Sequence, residues 1–366
     1  MGSNRFGNIF CYTSWGESHG EAIGVVIDGC PSGILIDQNL IQQELHLRRP
    51  GRSSFVSPRK ECDSCQILSG LFEGKTTGAP ILILIRNRDC DSSSYESIKS
   101  FLRPGHANFT YLKKYGTFDY RGGGRASARE TVARVCAGAI AKEILKIYDI
   151  DVCGFLYQIQ HITSNYLEFS YEEIKKRSRE SDVFFPDQSQ EDDVKKMIES
   201  LTESGDSIGA SVKIISKPLP IGLGDPVYEK LHANIAKALF SIPAVKGVFF
   251  GSLDDLKGSS YQDPFINHHG DIQLQSNRCG GILGGISCGT PLDITVYFKP
   301  TSSIKKGIAT TDLDGNACVI GMSETARHDP CVAIRGCFVA EHMVAITLVD
   351  AILMRRAHAP FEDLQF

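Results

Sequence analysis

The chain of 366 residues has no large excess of either charge: its formal net charge is −4. That balance gives no support to nucleic acid or another extended polyanion as partner. No secretory signal is read ahead of the cysteines, and no unbroken apolar run reaches the roughly 18 residues of a membrane span. A second Cys-x-x-Cys is also missing. Cys62-Asp63-Ser64-Cys65 stands alone, and Cys331 and Cys337 are spaced too far apart to complete a zinc set. No metal site is expected, and chance is the favoured account of the Cys-x-x-Cys. No Gly-x-Gly-x-x-Gly follows a strand to mark a separate nicotinamide domain. No Pro/Gly/Ser-rich linker divides the chain, so residues 1–366 read as one domain. The twelve cysteines, spread from Cys11 to Cys337, read as reduced thiols of a cytoplasmic protein, several of them buried.

What is present is more telling. Hydrophobic residues make up 42% of the chain, enough for a sizeable core. Gly122-Gly123-Gly124-Arg125-Ala126-Ser127-Ala128-Arg129-Glu130-Thr131 runs into an apolar series with helical spacing, Val132 to Ile147. Ser127 and Glu130 have the spacing of a capping box, which predicts Ser127 as the N-cap of a helix reaching about Tyr148. A glycine loop entering a helix leaves backbone N–H groups free for an anion or an electron-rich cofactor edge. Arg125 and Arg129 add forked donors suited to phosphate or carboxylate. Other arginines recur in Gly/Pro-rich loops: Arg48, Arg49, Arg52, Arg59, Arg103, Arg121, Arg327 and Arg335. On a mildly acidic protein, such loops suit a small multi-anionic ligand.

Strands are predicted over Ile23–Asp28, Ile81–Arg86, Ala210–Ile215, Val245–Gly251 and Ile294–Phe298. Helices are predicted over Asn39–Arg49, Tyr228–Phe240 and Val339–Met354, the last buried on most sides. The charged stretch Tyr171–Ser207 reads as solvated helix and loop. Gly78-Ala79-Pro80, Gly209-Ala210-Ser211 and Gly289-Thr290-Pro291 each precede a strand, through internal duplication or common turn chemistry.

Gly74-Lys75-Thr76 looks like the end of a nucleotide P-loop. However, Ser69 stands where the motif needs its first glycine, and a strand follows rather than a helix. A purely ligand-binding protein explains the arginine loops, but not His19 and His106 beside glycines in two separate loops. Those two favour acid–base work.

The chain resembles the chorismate synthase family in an ordered set of motifs running from about Phe6 to about Arg356. They are Gly16-Glu17-Ser18-His19-Gly20, Arg48-Arg49-Pro50-Gly51, Ile67-Leu68-Ser69-Gly70, Gly74-Lys75-Thr76-Thr77-Gly78, Arg103-Pro104-Gly105-His106-Ala107, the Gly122–Thr131 stretch, Gly280-Gly281-Ile282-Leu283-Gly284-Gly285-Ile286-Ser287, Lys299-Pro300-Thr301-Ser302-Ser303, and Arg327-His328-Asp329-Pro330-Cys331-Val332-Ala333-Ile334-Arg335. The resemblance implies an α+β fold: a single-domain layered β-α-β sandwich with helices packed between two antiparallel sheets. It implies anti 1,4-elimination of phosphate from 5-enolpyruvylshikimate 3-phosphate to give chorismate, with reduced FMN and no net redox change. It also implies a homotetramer.

By matched motif, His19 is implied to protonate the departing phosphate and His106 to meet the anionic reduced flavin. Asp329 is implied to help deprotonate flavin N5, with Ser18 and Ser127 as a proton relay. Arg125, Ala126, Ser127, Pro243, Ala244, Gly284, Lys299, Pro300, Thr301, Ser302, Ser303 and Arg327 are implied to line FMN. Arg48 falls at the family's NADPH contact, NADPH being a possible reductant. Arg49, Arg103, Arg129 and Arg335 are the candidates for substrate anions. Three positions depart from the family pattern: Asn108 and Phe249 replace usual carboxylates, and Ser54 replaces an arginine.

Overall fold

The computed structural model describes residues 3–358, apart from 60, 97, 253, 255–256 and 324–327. Alternation of apolar side chains builds its sheets. In Ile81–Arg86, the side chains of Ile81, Ile83 and Ile85 are fully buried while Leu82 and Leu84 are partly exposed. This strand pairs antiparallel with Ala22–Asp28, whose Ile23, Val25 and Ile27 face the same core. The first sheet has the spatial order Arg5–Phe6, Cys11–Trp15, Ala22–Asp28, Ile81–Arg86, Cys65–Ile67. The second has the order Val245–Phe250, Pro291–Phe298, Ala210–Pro218, Val152–Ile159, Ile162–Thr163.

Four helices fill the space between the sheets: α1 (Gln38–Arg48), α2 (Thr131–Lys146), α3 (Leu231–Phe240) and α4 (Ala333–His358). The first two pack on the first sheet, α3 and α4 pack on the second, and α2 lies along α4. This is the α+β layered sandwich implied by the motifs. The α2–α4 contact is close because Gly138 has no side chain: a Cβ there would lie 2.3 Å from the Cβ of His342.

Helix α4 is longer than predicted, and nearly all of it from Ala333 to Ile352 is buried. Among the described residues it is the one helix long and apolar enough to cross a membrane, yet 89% of its apolar window is buried in this fold. Glu341, His342 and Asp350 interrupt its apolar run, which is why run length alone did not reveal it.

The sandwich is internally duplicated. The hairpin Leu71–Phe72/Lys75–Thr76 leads into Ile81–Arg86 as Ile282–Leu283/Ile286–Ser287 leads into Pro291–Phe298. Thr76 Oγ1 donates to Pro31 O and accepts from Ile34 N; Ser287 Oγ donates to Pro220 O and accepts from Leu223 N. Gly78 and Gly289 are therefore equivalent turns. Gly209 precedes a different strand, so the three-fold pattern resolves into one true pair.

Two local expectations are corrected. Helix α2 begins at Thr131, not Ser127; a 3₁₀ turn (Ala128–Glu130) intervenes. The Ser127 side chain accepts from Arg129 N, while Glu130 pairs with Arg134 at 2.7 Å, so no capping box closes. The charged stretch is also less solvated than expected. Helices Tyr171–Glu180 and Gln188–Glu203 bracket Val183, Phe184 and Phe185, all buried. A capping box does form there, between Ser170 and Glu173.

Arg179 from that stretch reaches the fully buried Glu341, which also accepts from Lys142 Nζ (2.7 Å) and Gly154 N (2.6 Å). Burial alone would push the Glu341 carboxyl up. Arg179 and Lys142 outweigh it and hold the group down to about 2.

Candidate active site

Loops from both halves of the duplicated fold meet over the start of α2 and enclose a cavity of about 1180 Å³. Its floor is the glycine run, where Gly122, Gly123 and Gly124 have φ of 60°, 82° and 52°. The first is required by contact as well as by φ, since a Cβ on Gly122 would lie 2.5 Å from His19 Nε2. A backbone turn bare of side chains thus brings His19 against the cavity.

The imidazole of His19 is oriented by a 2.8 Å hydrogen bond between Nδ1 and Ser92 Oγ and by edge contact with Tyr95. His106 Nδ1 accepts from the backbone N–H of Asn108 at 3.2 Å. Nε2 lies beside Gly123 and 3.4 Å from Arg103 Nη1, so both ring nitrogens face donors and the ring is disfavoured as a cation. Burial, then the charges of Arg103 and Lys299, lower its pKa to about 3. His106 is thus neutral at neutral pH. Asn108, at the departure from the usual aspartate, is buried and ties the loop through Arg103 N and Phe101 O.

Arginines and carboxylates interlock on the opposite wall. Asp63 accepts from Arg48 Nη1 (3.3 Å) and from Arg129 Nη1. Glu61 accepts from Arg59 Nη2 at 2.7 Å and lies 3.9 Å from Arg129. Asp329 accepts from Arg335 Nε (2.9 Å) and Nη2, and from Ser57 N (3.0 Å). Burial would raise the Asp329 carboxyl, but Arg335 outweighs it and the pKa falls below the usual range. Arg48 is buried and also donates to Ala128 O (2.7 Å) and Thr131 Oγ1 (3.1 Å). Burial and the nearby Arg335 lower its pKa to about 9. Ser127 Oγ and Ser18 Oγ stand 3.3 Å apart, and Arg59 Nη1 donates to Ser18 Oγ at 3.4 Å.

The third wall is the 299–303 segment. Lys299 Nζ donates to Gly105 O (3.1 Å), Arg103 Nη2 donates to Ser303 Oγ, and Pro243 and Ala244 lie alongside. Two buried polar atoms here have no partner among the described residues: Thr301 Oγ1 and His328 Nε2. Burial, then the charge of Arg103, lowers the pKa of His328 to about 4. Both atoms are able to bond to a ligand.

Of the residues singled out from the sequence, the cavity brings together Ser18, His19, Arg48, Arg103, His106, Arg125, Ala126, Ser127, Arg129, Pro243, Ala244, Lys299, Pro300, Thr301, Ser302, Ser303, Asp329 and Arg335. Arg125 is anchored, its guanidinium donating to Gly16 O, Ser14 O and Ser14 Oγ. Arg49 and Gly284 do not line this cavity; Gly284 sits exposed at the tip of the second-half hairpin. Arg327 lies outside the described residues. The motifs give no role to Glu61, Asp63, Ser57 or His328, and Arg59 stands only among the loop arginines. The signal for the first two is the alternation Arg59, Glu61, Asp63 beside the Cys-x-x-Cys.

A layered α+β fold with acid–base groups facing an arginine-rich cavity defines an enzyme for a small polyanionic substrate. A family model described as chorismate synthase matches residues 10–353. A chorismate synthase of Protochlamydia amoebophila is 50% identical over 97% of this chain and 99% of its own length. One from Methanococcoides burtonii is 45% identical over 98% of each chain. A crystal structure of a chorismate synthase superposes with a TM-score of 0.76 at 26% identity, covering 96% of this chain and 93% of the other. The chain belongs to the chorismate synthase family.

Proposed function

We propose that the chain catalyses the anti 1,4-elimination of phosphate from 5-enolpyruvylshikimate 3-phosphate to give chorismate. The observation that carries this reading is the single cavity of a chorismate synthase family member in which His19, His106 and Asp329 face one set of arginines. Arg129, Arg335 and Arg59 present guanidinium forks to the substrate's carboxylates and phosphate. Arg103 lies between that set and the 299–303 segment.

Reduced FMN fits the residues present. Lys299 and the hydroxyls of Thr301, Ser302 and Ser303 suit its phosphate, and the orphaned Thr301 Oγ1 awaits such an acceptor. Arg125, Ala126 and Ser127 would hold the ring edge. The chemistry it would supply is transient electron donation to the allylic substrate, with no net redox change. His106, held neutral by burial and by the nearby Arg103 and Lys299, faces the anionic ring without competing for its charge. His19, fixed through Nδ1, delivers a proton to the leaving phosphate from Nε2. Asp329 is held ionised by Arg335 and serves as the base of the site, with Ser18 and Ser127 as the hydroxyl pair for proton passage.

The protein acts in the cytoplasm as a single-domain subunit of a homotetramer. Phe249 and Tyr297, half-exposed and in edge contact on the second sheet, support self-association. The decisive test is an anaerobic assay with dithionite-reduced FMN, reading chorismate and inorganic phosphate together. Equal amounts of both products support the reading, and phosphate without chorismate overturns it. Replacing dithionite by NADPH reads whether the chain reduces its own flavin.

A further inference from the structure

The duplicated hairpin differs at its base between the two halves. In the second half, the sulfur atoms of Cys279 and Cys288 lie 3.8 Å apart, in van der Waals contact. Both residues are only partly buried. The corresponding positions in the first half are Leu68 and Thr77, and that hairpin closes on the same backbone bond: Thr77 N to Gly70 O there, Cys288 N to Gly281 O here. The fold therefore does not require sulfur at either place.

Backbone contacts hold the two thiols in register. Asp263 Oδ2 accepts from Cys279 N at 2.9 Å. Asn277 Oδ1 accepts from both Gly281 N (2.9 Å) and Thr290 Oγ1 (2.7 Å), tying the two ends of the hairpin together. Closing to a disulfide bond length of about 2.0 Å needs side-chain rotation and a small shift of the flanking glycines, Gly280 and Gly281. We propose that Cys279 and Cys288 are a reversible disulfide site of the folded protein, taking a low-molecular-weight disulfide as oxidant.

The step balances as thiol–disulfide exchange. Cys288 loses its proton to water, and its thiolate attacks one sulfur of the small disulfide, whose S–S bond breaks and releases one thiolate. Cys279 then loses its proton, attacks the Cys288 sulfur of the mixed disulfide and expels the second thiolate. Two electrons pass to the reagent, and the two released thiolates take up the two protons. Cys288 is the first nucleophile, because burial and the neighbouring Asp263 and Cys288 push the Cys279 thiol up to about 12. The product ties the base of a hairpin whose Gly285 O receives Leu231 N, at the start of α3.

The test uses the full folded chain with oxidised glutathione, followed by alkylation and tryptic mapping. Both cysteines fall in the tryptic peptide that begins at Cys279. The expected result is that peptide lighter by two hydrogens and restored by reductant, while the exposed Cys62 carries a glutathione adduct. Cys288→Ser and Cys279→Ser should each abolish the loss of hydrogens while keeping the melting temperature of the reduced protein. Glutathione retained on either cysteine without a cross-link would overturn the proposal. So would both thiols remaining free once Cys62 is fully modified.

Discussion

Two charge clusters stand on the same helices, Arg48 and Glu44 on α1 and Arg335 and Glu341 on α4, and they obey different rules. At the cavity, Arg48, Arg59, Arg129 and Arg335 are shared among Glu61, Asp63 and Asp329, four cations to three anions. Arg103 and Lys299 add positive charge across the opening. In the interior, Glu341 and Glu44 are matched by Lys142 and Arg179, with His342 Nε2 3.1 Å from Glu44. The first cluster surrounds space and is left electrostatically incomplete, as a site for an anion must be. The second matches charge against charge within itself and joins α1, α2, α4 and helix Tyr171–Glu180. Buried ion pairs of this kind are costly to break from one side, because the partner charge stays behind in low dielectric.

The sharpest break of this comparison is at the histidines. His19→Ala and His106→Ala should each lower turnover by roughly 10²- to 10⁴-fold, with melting temperature nearly unchanged. Steady-state kinetics beside a melting curve reads both, and a near-normal rate returns that histidine to a structural role. The mirror-image substitution is Glu341→Gln. It strands Arg179 and Lys142, and should cost about 3–5 kcal/mol of stability, read by denaturant unfolding. Specific activity per folded molecule should stay close to wild type.

Asp329→Asn tests the boundary between the two kinds of role. It should leave FMN and substrate bound while the single-turnover rate falls roughly 10²-fold. If FMN affinity falls instead and saturating FMN restores the rate, Asp329 only orients its neighbours. Asp63→Asn, which weakens the tie between Arg48 and Arg129, should raise the substrate KM through about 1–3 kcal/mol of lost orientation. Its kcat should move less.

The smallest effect is on acid stability. The folded pKa values of Glu341 and Asp329 lie below those of unfolded carboxylates. Their contribution is therefore complete above an unfolded pKa of about 4 and is lost as pH falls towards the folded values. Melting temperature should hold from neutrality down to about pH 5 and drop below that. Glu341→Gln should flatten the drop, and an unchanged slope would remove Glu341 from the account.

Most of the candidate site was legible because its residues cluster in short motifs. His19 and His106 stand beside glycines, and Ser127 and Arg129 follow a glycine run, so local spacing carries the information. Glu61 and Asp63 are not legible in the same way, because a carboxylate's partners are set by contacts across the fold. Arg49 follows Arg48 directly, yet only Arg48 lines the cavity. The charged stretch 171–207 was read as solvated because charge density hides its buried Val183-Phe184-Phe185.

By itself the sequence determined the family, the strands with clean alternation, the glycine floor and the two histidines, since these depend on neighbours in the chain. Only the tertiary structure decided that α2 starts at Thr131, that His106 is neutral, and that one carboxylate spans two arginines. It also decided that Cys279 touches Cys288 while Leu68 and Thr77 stand in their places in the other half. Each of these depends on distance and burial between segments far apart in the chain, which composition and spacing do not encode.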